Sequence, residues 1–290
     1  MSIVIINNLT KYYGKIKALE NISLEINEGE IFGVLGPKGS GKSTLIDTMI
    51  ALQKPTSGSV EIFGLDINKD RKKIYRNIGY LPAEFTYRGN AKVGSVLKDA
   101  ATLYKENCDE RIVYFAEKLY LDLKQRISDL SASELKKVAI VRALAHQPRL
   151  LLLNEPTKGL NLHDQKILFA LLKEENRNGV TIILSSARIS DAQKICNRLA
   201  YLSKGRLLGI EETSALYNNS YYKIKFSTTV DINIGHFNLP GVIDFNIEEL
   251  EAGFLYHGPL NAILNVLNAY PLLKIIIEEP PLQDIYLHYF

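Results

Sequence analysis

The chain has 290 residues, 46% hydrophobic and 23% charged, with a formal net charge of +3. Its length allows a large core and two domains, while so small a charge gives no argument for nucleic acid or an anionic membrane as a partner. Cys108 and Cys196 have no paired spacing, which sets aside a disulfide framework or a zinc site and favours a reducing compartment.

The N-terminal Ser2-Ile3-Val4-Ile5-Ile6 has no basic leader and is too short for a signal peptide. No apolar run approaches the roughly 18 residues of a membrane span, so the polypeptide alone is expected to be soluble. Residues 3–6 read as a strand, and Leu19, Ile22, Leu24 and Ile26 trace a second. Between them Tyr13 stands before the turn residue Gly14. Its ring offers a flat face for adenine, where stacking is worth roughly 1–3 kcal/mol by analogy with single-strand binders. Ile31–Leu35 reads as a buried strand and Leu45–Ile50 as a helix.

Between that strand and helix stands Gly36-Pro37-Lys38-Gly39-Ser40-Gly41-Lys42-Ser43-Thr44, which fits the phosphate-cradling pattern G-x-x-x-x-G-K-[ST]. Small glycines let successive N–H groups point at phosphate oxygens, at the positive end of the following helix. Lys42 adds a mobile point charge for the β- and γ-phosphates, and the Ser43 hydroxyl is placed for Mg²⁺. ATP and Mg²⁺ are therefore the expected ligands.

Pro55–Ser59 is a turn, Val60–Gly64 a short strand, and Arg71-Lys72-Lys73 with Arg76 a solvated helix face. Ile78–Leu81 is a strand ended by Pro82. From Val93 to about His146 the pattern is helical, with Leu97, Ala100, Ala101 and Tyr104 on one face. Leu150–Leu153 is a buried strand, 167–172 helical, Val180–Leu184 a strand, and Ala192–Ile195 helical. Leu199–Leu202 and Arg206–Ile210 form a hairpin around Lys204-Gly205. Strands alternating with helices indicate a largely parallel sheet covered on both faces. After Glu211-Glu212 the composition changes. Tyr222–Phe226, Val242–Ile247, Gly253–Tyr256 and Leu273–Ile277 read as strands, Ala262–Leu267 as a helix, and a last helix starts at Leu282. The expected organisation is residues 1–214, with a helical subdomain at about 86–147, and a small α+β domain at 215–290.

Tyr13, the phosphate loop, Leu130-Ser131-Ala132-Ser133-Glu134, Leu150–Pro156 and Gly159-Leu160-Asn161 stand in the order and spacing of ABC-transporter ATPase domains, which the chain resembles over nearly its whole length. The tail, Ile275–Pro280 with Leu282–Tyr286, resembles the C-terminal extension of ATPase subunits from drug, peptide and lantibiotic exporters. The resemblance implies an α/β fold with a P-loop NTPase core. It further implies that two ATPase subunits close head-to-tail on two ATPs, each ATP lying between one subunit's P-loop and the other's signature loop. Here that second contact falls to Ser131. The partners implied are an integral membrane permease and a second ABC ATPase, in a homodimer or heterodimer, with no nucleic acid. The implied location is the cytoplasmic face of the cell membrane. The loop Ala83-Glu84-Phe85 would face the permease.

The sequence also departs from the family. The Walker B aspartate, which holds a Mg²⁺-bound water, is Asn154; the next residue, Glu155, keeps the carboxylate that polarises the attacking water. An amide oxygen accepts hydrogen bonds without charge, and charge-assisted bonds are about twice as strong, so looser Mg²⁺ binding is expected. The switch-loop glutamine is Ala83, the γ-phosphate histidine is Ala187, and the aspartate of the loop after Walker B is Asn161. The signature glycines are Ala132 and Ser133, and its glutamine is Glu134, which brings negative charge toward an anion. Arg188 is expected to point away from the position that Ala187 leaves empty. The expectation is firm ATP binding with slow hydrolysis, coupled to transport by membrane subunits. The alternative is a nucleotide-gated regulatory subunit with little or no hydrolysis. A soluble ABC ATPase acting on DNA or ribosomes has no coiled-coil insertion or basic stripe here to support it.

Overall fold

The computed structural model describes residues 1–87, 89–104, 108–213 and 221–280. The chain divides into two compact units, Met1–Ile210 and Glu211–Phe290. The helix expected from Leu282 and the boundary expected at 214/215 lie outside the described residues.

The first unit contains two sheets, where one largely parallel sheet is expected from the sequence. β1 (Ser2–Tyr13) and β2 (Ile16–Asn27) form an antiparallel hairpin. β4 (Ser57–Ile62) pairs with β1 and β5 (Leu65–Asp66) with β4, giving the order β2-β1-β4-β5. The first strand runs far beyond residues 3–6, because Asn8 and Asn21 at positive φ take up irregularities in the ladder and let pairing continue. This explains the three-residue step from Leu19 to Ile22, after which strict alternation returns with Leu24 and Ile26, all four buried.

The second sheet carries the phosphate loop. It comprises β3 (Ile31–Leu35), β6 (Ile78–Leu81), β7 (Leu150–Asn154), β8 (Thr181–Ser186), β9 (Arg198–Ser203) and β10 (Arg206–Glu212), in the order β10-β9-β3-β8-β7-β6. From β9 to β6 every pairing is parallel. β10 returns through Lys204-Gly205, both at positive φ, as a tight hairpin requires. Every residue of β3, β7 and β8 is buried, the mark of a sheet covered on both faces. One face, with Phe32, Val34, Leu150 and Leu152, packs on the antiparallel sheet and on Leu45, Ile46 and Met49 of α1 (Lys42–Met49). On the other, a Cβ at Gly79 would lie 2.1 Å from the Ala143 carbonyl oxygen, and one at Gly33 would meet Leu199 Cδ2 at 2.5 Å with Ala192 Cβ in ordinary contact at 3.4 Å. Helices therefore lie directly on the sheet there.

The long helical stretch is broken into α3 (Val93–Ala101), α4 (Asp109–Lys118) and α5 (Ala132–Leu144), with the short α2 (Arg71–Tyr75) before them. Tyr104 does not share the α3 face; it lies past the helix end, its ring stacked 3.7 Å from that of His146. α6 (Leu162–Arg177) starts earlier than expected because Asn161 caps it, accepting from the Asp164 N–H at 2.9 Å. α7 covers Ile189–Gln193, three residues before the stretch expected. There Ala192 closes the helix rather than opening it, its carbonyl accepting from Ile195 and Cys196.

The second unit is an antiparallel sheet of β11 (Tyr221–Thr228), β12 (Val242–Glu248), β13 (Glu251–His257) and β14 (Leu272–Glu278), ordered β12-β13-β11-β14, with α8 (Leu260–Leu267). Its own core gathers Ile224, Phe226, Phe237, Phe254, Ile263 and Leu267.

Candidate nucleotide site

β3 ends at Leu35 and leads into Gly36–Gly41, and α1 begins at Lys42 with Gly41 at its N-cap. Gly36, Gly39 and Gly41 have φ of 156°, 83° and 106°. For Gly39 the reason is conformational alone, since a Cβ there would meet open space. At Gly36 it is also steric: a Cβ would lie 2.2 Å from the Leu202 carbonyl oxygen. Pro37, Lys38, Gly39 and Ser43 are exposed, while Ser40 and Lys42 are buried and Thr44 is half-buried. The Ser40 carbonyl accepts from Gly205 N–H at 2.9 Å, pinning the loop to the β9–β10 turn.

Lys42 Nζ donates to the carbonyls of Gly36 at 2.8 Å and Pro37 at 3.0 Å, and lies 3.7 Å from Glu155 Oε1. Burial lowers its pKa, and the Glu155 carboxylate opposes that shift. Ser43 Oγ donates to Asn154 Oδ1 at 3.3 Å, and Ser185 Oγ donates to the same oxygen at 2.7 Å. Glu155 stands one residue beyond β7 at φ 49°, its N–H donating to the Ser185 carbonyl at 3.1 Å. Its Oε2 accepts from the Ala187 N–H at 3.4 Å. Parallel pairing of β7, β8 and β3 brings the three strand ends together, so the phosphate loop, Asn154-Glu155 and Ser185–Ala187 converge at the carboxyl edge of the sheet. That edge, next to a glycine loop and a helix N-terminus, is where an α/β sheet binds phosphate ligands.

Residues 19–158 match the ABC transporter family. The bacitracin transport ATP-binding protein BcrA of Bacillus licheniformis is 29% identical over 98% of this chain and 95% of its own length. The methionine import ATP-binding protein MetN of Geobacillus kaustophilus is 33% identical over 74% of this chain and 67% of its own. A solved dimer of the bacterial ABC transporter cassette MJ0796 superposes with a TM-score of 0.67 at 29% identity, covering 72% of this chain and 98% of that one. That cassette has also been solved as a post-hydrolysis dimer bound to ADP and Pi. The chain belongs to the ABC transporter ATP-binding family.

ATP is thus the nucleotide, and ATP hydrolysis the activity, of the family in which this ABC ATPase stands. Mg²⁺ fits the site in a restricted sense. Ser43 Oγ and Asn154 Oδ1 meet where oxygen donors are needed, but both are neutral. Among the described residues no group of three or more His, Cys, Asp or Glu side chains is placed to hold a metal. A cation here would draw its charge balance from phosphate oxygens, as Mg²⁺ in such sites normally does.

Two expected site residues are not joined to this cluster by any described bond. Ser131 is exposed at the N-cap of α5, where it and Glu134 form a capping box. Its Oγ donates to Glu134 Oε2 at 2.7 Å and its N–H to the same oxygen at 2.8 Å. Those two bonds hold the Glu134 pKa below the usual carboxylate range. Tyr13 is exposed at the end of β1, with Lys11 Nζ 4.9 Å from its ring centre. Arg188 points away from the site, to Asp191 Oδ2 and to Thr157 Oγ1. Thr157 in turn donates to Asp191 at 2.6 Å, so these three tie the turn after β7 to the start of α7.

Sequence reasoning missed Ser185, which bonds both Asn154 and the Glu155 N–H. It also missed Lys136, whose Nζ donates to the Glu155 carbonyl at 3.1 Å. A serine at the end of a buried strand next to a P-loop strand was the available signal for the first. Nothing in the spacing marks the second.

Proposed function

We propose that this chain is the ATP-binding subunit of an exporter. It would sit at the cytoplasmic membrane face through a separate integral permease, and use ATP chiefly to close a dimer while hydrolysing it slowly. The family supports the ATPase. The end-to-end match to BcrA, which extends over the second unit, supports the exporter group over the import ATPase, whose match stops at 74% of this chain. Among the described residues no helix is long and apolar enough to cross a membrane, so transport falls to another subunit. The partner ATPase is a second copy or a different ABC subunit. The loop Ala83-Glu84-Phe85, with the Glu84 side chain 90% exposed, is the surface we assign to the permease.

In this mechanism the N–H groups of Gly39–Ser43 and the Lys42 ammonium bind the phosphates. ATP would take over the Lys42 bonds now made to Gly36 and Pro37 carbonyls. Mg²⁺, held by Ser43 Oγ and indirectly by Asn154, would neutralise phosphate charge. Glu155 then accepts the proton of the attacking water, its carboxylate held by the Ala187 N–H. Slow turnover rests on one observation above all: the Asn154 oxygen next to Ser43 is an uncharged amide already accepting from Ser185. Ala187 also lacks a side chain that could reach the γ-phosphate, and Ser131 is engaged by Glu134. Each lost electrostatic donor is worth roughly 10²–10³ in rate, without additivity.

Restoring Asn154→Asp with Ala187→His should raise Mg²⁺-dependent phosphate release by at least about tenfold. A Lys42→Ala control sets the background. Unmutated protein that already releases several phosphates per second would contradict the slow-turnover reading.

A further inference from the structure

Lys136 is 3% exposed, in the second turn of α5. Its neighbour Lys137 is also buried but pairs with the Asp164 carboxylate at 2.8 Å. Lys136 has no such partner: among the described residues no carboxylate lies within ion-pair reach of its ammonium. It donates to the main-chain oxygen of Glu155 and sits 5.6 Å from the centre of the Phe85 ring. Burial pushes its pKa down to about 8, against the pull of Glu155. Burying an ammonium against a neutral carbonyl costs stability, and an apolar side chain of the same length would not incur that cost. The group it holds is informative. The Glu155 carbonyl already accepts from Lys158 N–H at 3.2 Å, which closes the turn, so Lys136 adds a second, charged donor to one oxygen.

We propose that Lys136 is a positioning residue for ATP hydrolysis. It fixes the backbone of Glu155, at its strained φ, so that the carboxylate stays between Lys42 and Ala187. Its contact with Phe85 ties that turn to the loop after β6. One helix thereby joins three places: Ser131 at its N-cap, the Glu155 turn, and the Phe85 loop. The inference rests on the reading of Glu155 as the base.

The test is Lys136→Met in the full-length purified subunit, with Lys136→Arg and Lys42→Ala in parallel. Three quantities are measured: single-turnover ATP hydrolysis, affinity for a fluorescent ATP analogue, and Tm. The expected result is at least tenfold slower hydrolysis with analogue affinity within twofold of wild type, and a Tm unchanged or raised. Lys136→Arg should recover most of the rate. A stabilised but slower enzyme is something a merely structural lysine would not produce. Wild-type turnover in Lys136→Met overturns the proposal, as does a joint fall of Tm and rate that arginine does not restore. Wild type no faster than Lys42→Ala would instead remove the hydrolytic reading itself, and with it any reaction for Lys136 to position.

Discussion

The phosphate loop and the ring of residues around it obey different constraints. Gly36–Thr44 is fixed by backbone: three glycines at positive φ, one pressed against the Leu202 carbonyl, and a buried lysine bonded to main-chain oxygens. Asn154, Ala187 and Glu134 are side-chain choices on a frame that does not need them. Asn154 still satisfies Ser185; Glu134 still completes the α5 capping box. The fold therefore keeps the loop geometry whatever side chains stand at these three positions. On the proposed function, binding and turnover are separable properties of this site, and variants on either side should separate them further.

The largest effect is expected on the loop side. Gly36→Ala places a methyl group 2.2 Å from the Leu202 oxygen and 2.5 Å from Ser40 Oγ. Overpacking typically costs about 1–3 kcal/mol, and a backbone held at φ 156° adds about 1–3 kcal/mol for a residue with a Cβ. Denaturant unfolding should show a loss of several kcal/mol, with ATP binding lost in parallel. Retention of both would mean that the loop relaxes freely, and the contrast with its surroundings would collapse.

A smaller effect, of opposite sign, is expected from Glu134→Gln. Glutamine serves in a capping box, so α5 should keep its start, while the negative charge next to an incoming phosphate disappears. ATP-dependent dimerisation and turnover should rise, by about tenfold if the change is worth one charge-assisted hydrogen bond. The pH dependence has a defined sign. Because the Glu134 pKa is depressed by its Ser131 bonds, the ionised contact is complete above the ordinary carboxylate range and fails only as pH falls through the lowered value. The ratio of variant to wild-type turnover should therefore be flat across neutral pH. A ratio that climbs toward neutrality would point to another group.

The same division explains what could be read from sequence. The loop was legible because glycine and lysine at fixed spacing have few other uses, and β7 because four leucines in a row suit a strand buried on both faces. The antiparallel β2-β1-β4-β5 sheet does not stand apart in the sequence, because alternation identifies strands but not their partners, and two positive-φ asparagines let β1 and β2 run past the apparent breaks. The bounds of α7 are not legible because Ile189–Gln193 carries little periodicity in five residues. The role suggested for Ser131 depended on resemblance, and the capping bonds with Glu134 became visible only in three dimensions. Lys136 was illegible for a related reason: two adjacent lysines in a helix ordinarily read as a solvated face, yet here both are buried.

The smallest expected effect tests whether the binding side extends beyond the loop. Tyr13 is 42% exposed on β1, and the Lys11 ammonium occupies one face of its ring. One face then remains for adenine, and stacking on a single aromatic face is worth about 1 kcal/mol at the low end of the measured range. Tyr13→Ala should therefore weaken ATP binding by about fivefold, leave the rate at saturating ATP unchanged, and have little effect on Tm, since the ring is not part of the core. Tyr13→Phe should bind as wild type does, because stacking uses the ring and not the hydroxyl. A Tyr13→Ala variant with unchanged affinity for ATP would confine the binding side to Gly36–Thr44. One that instead lowered the saturated rate would place Tyr13 among the residues that govern turnover.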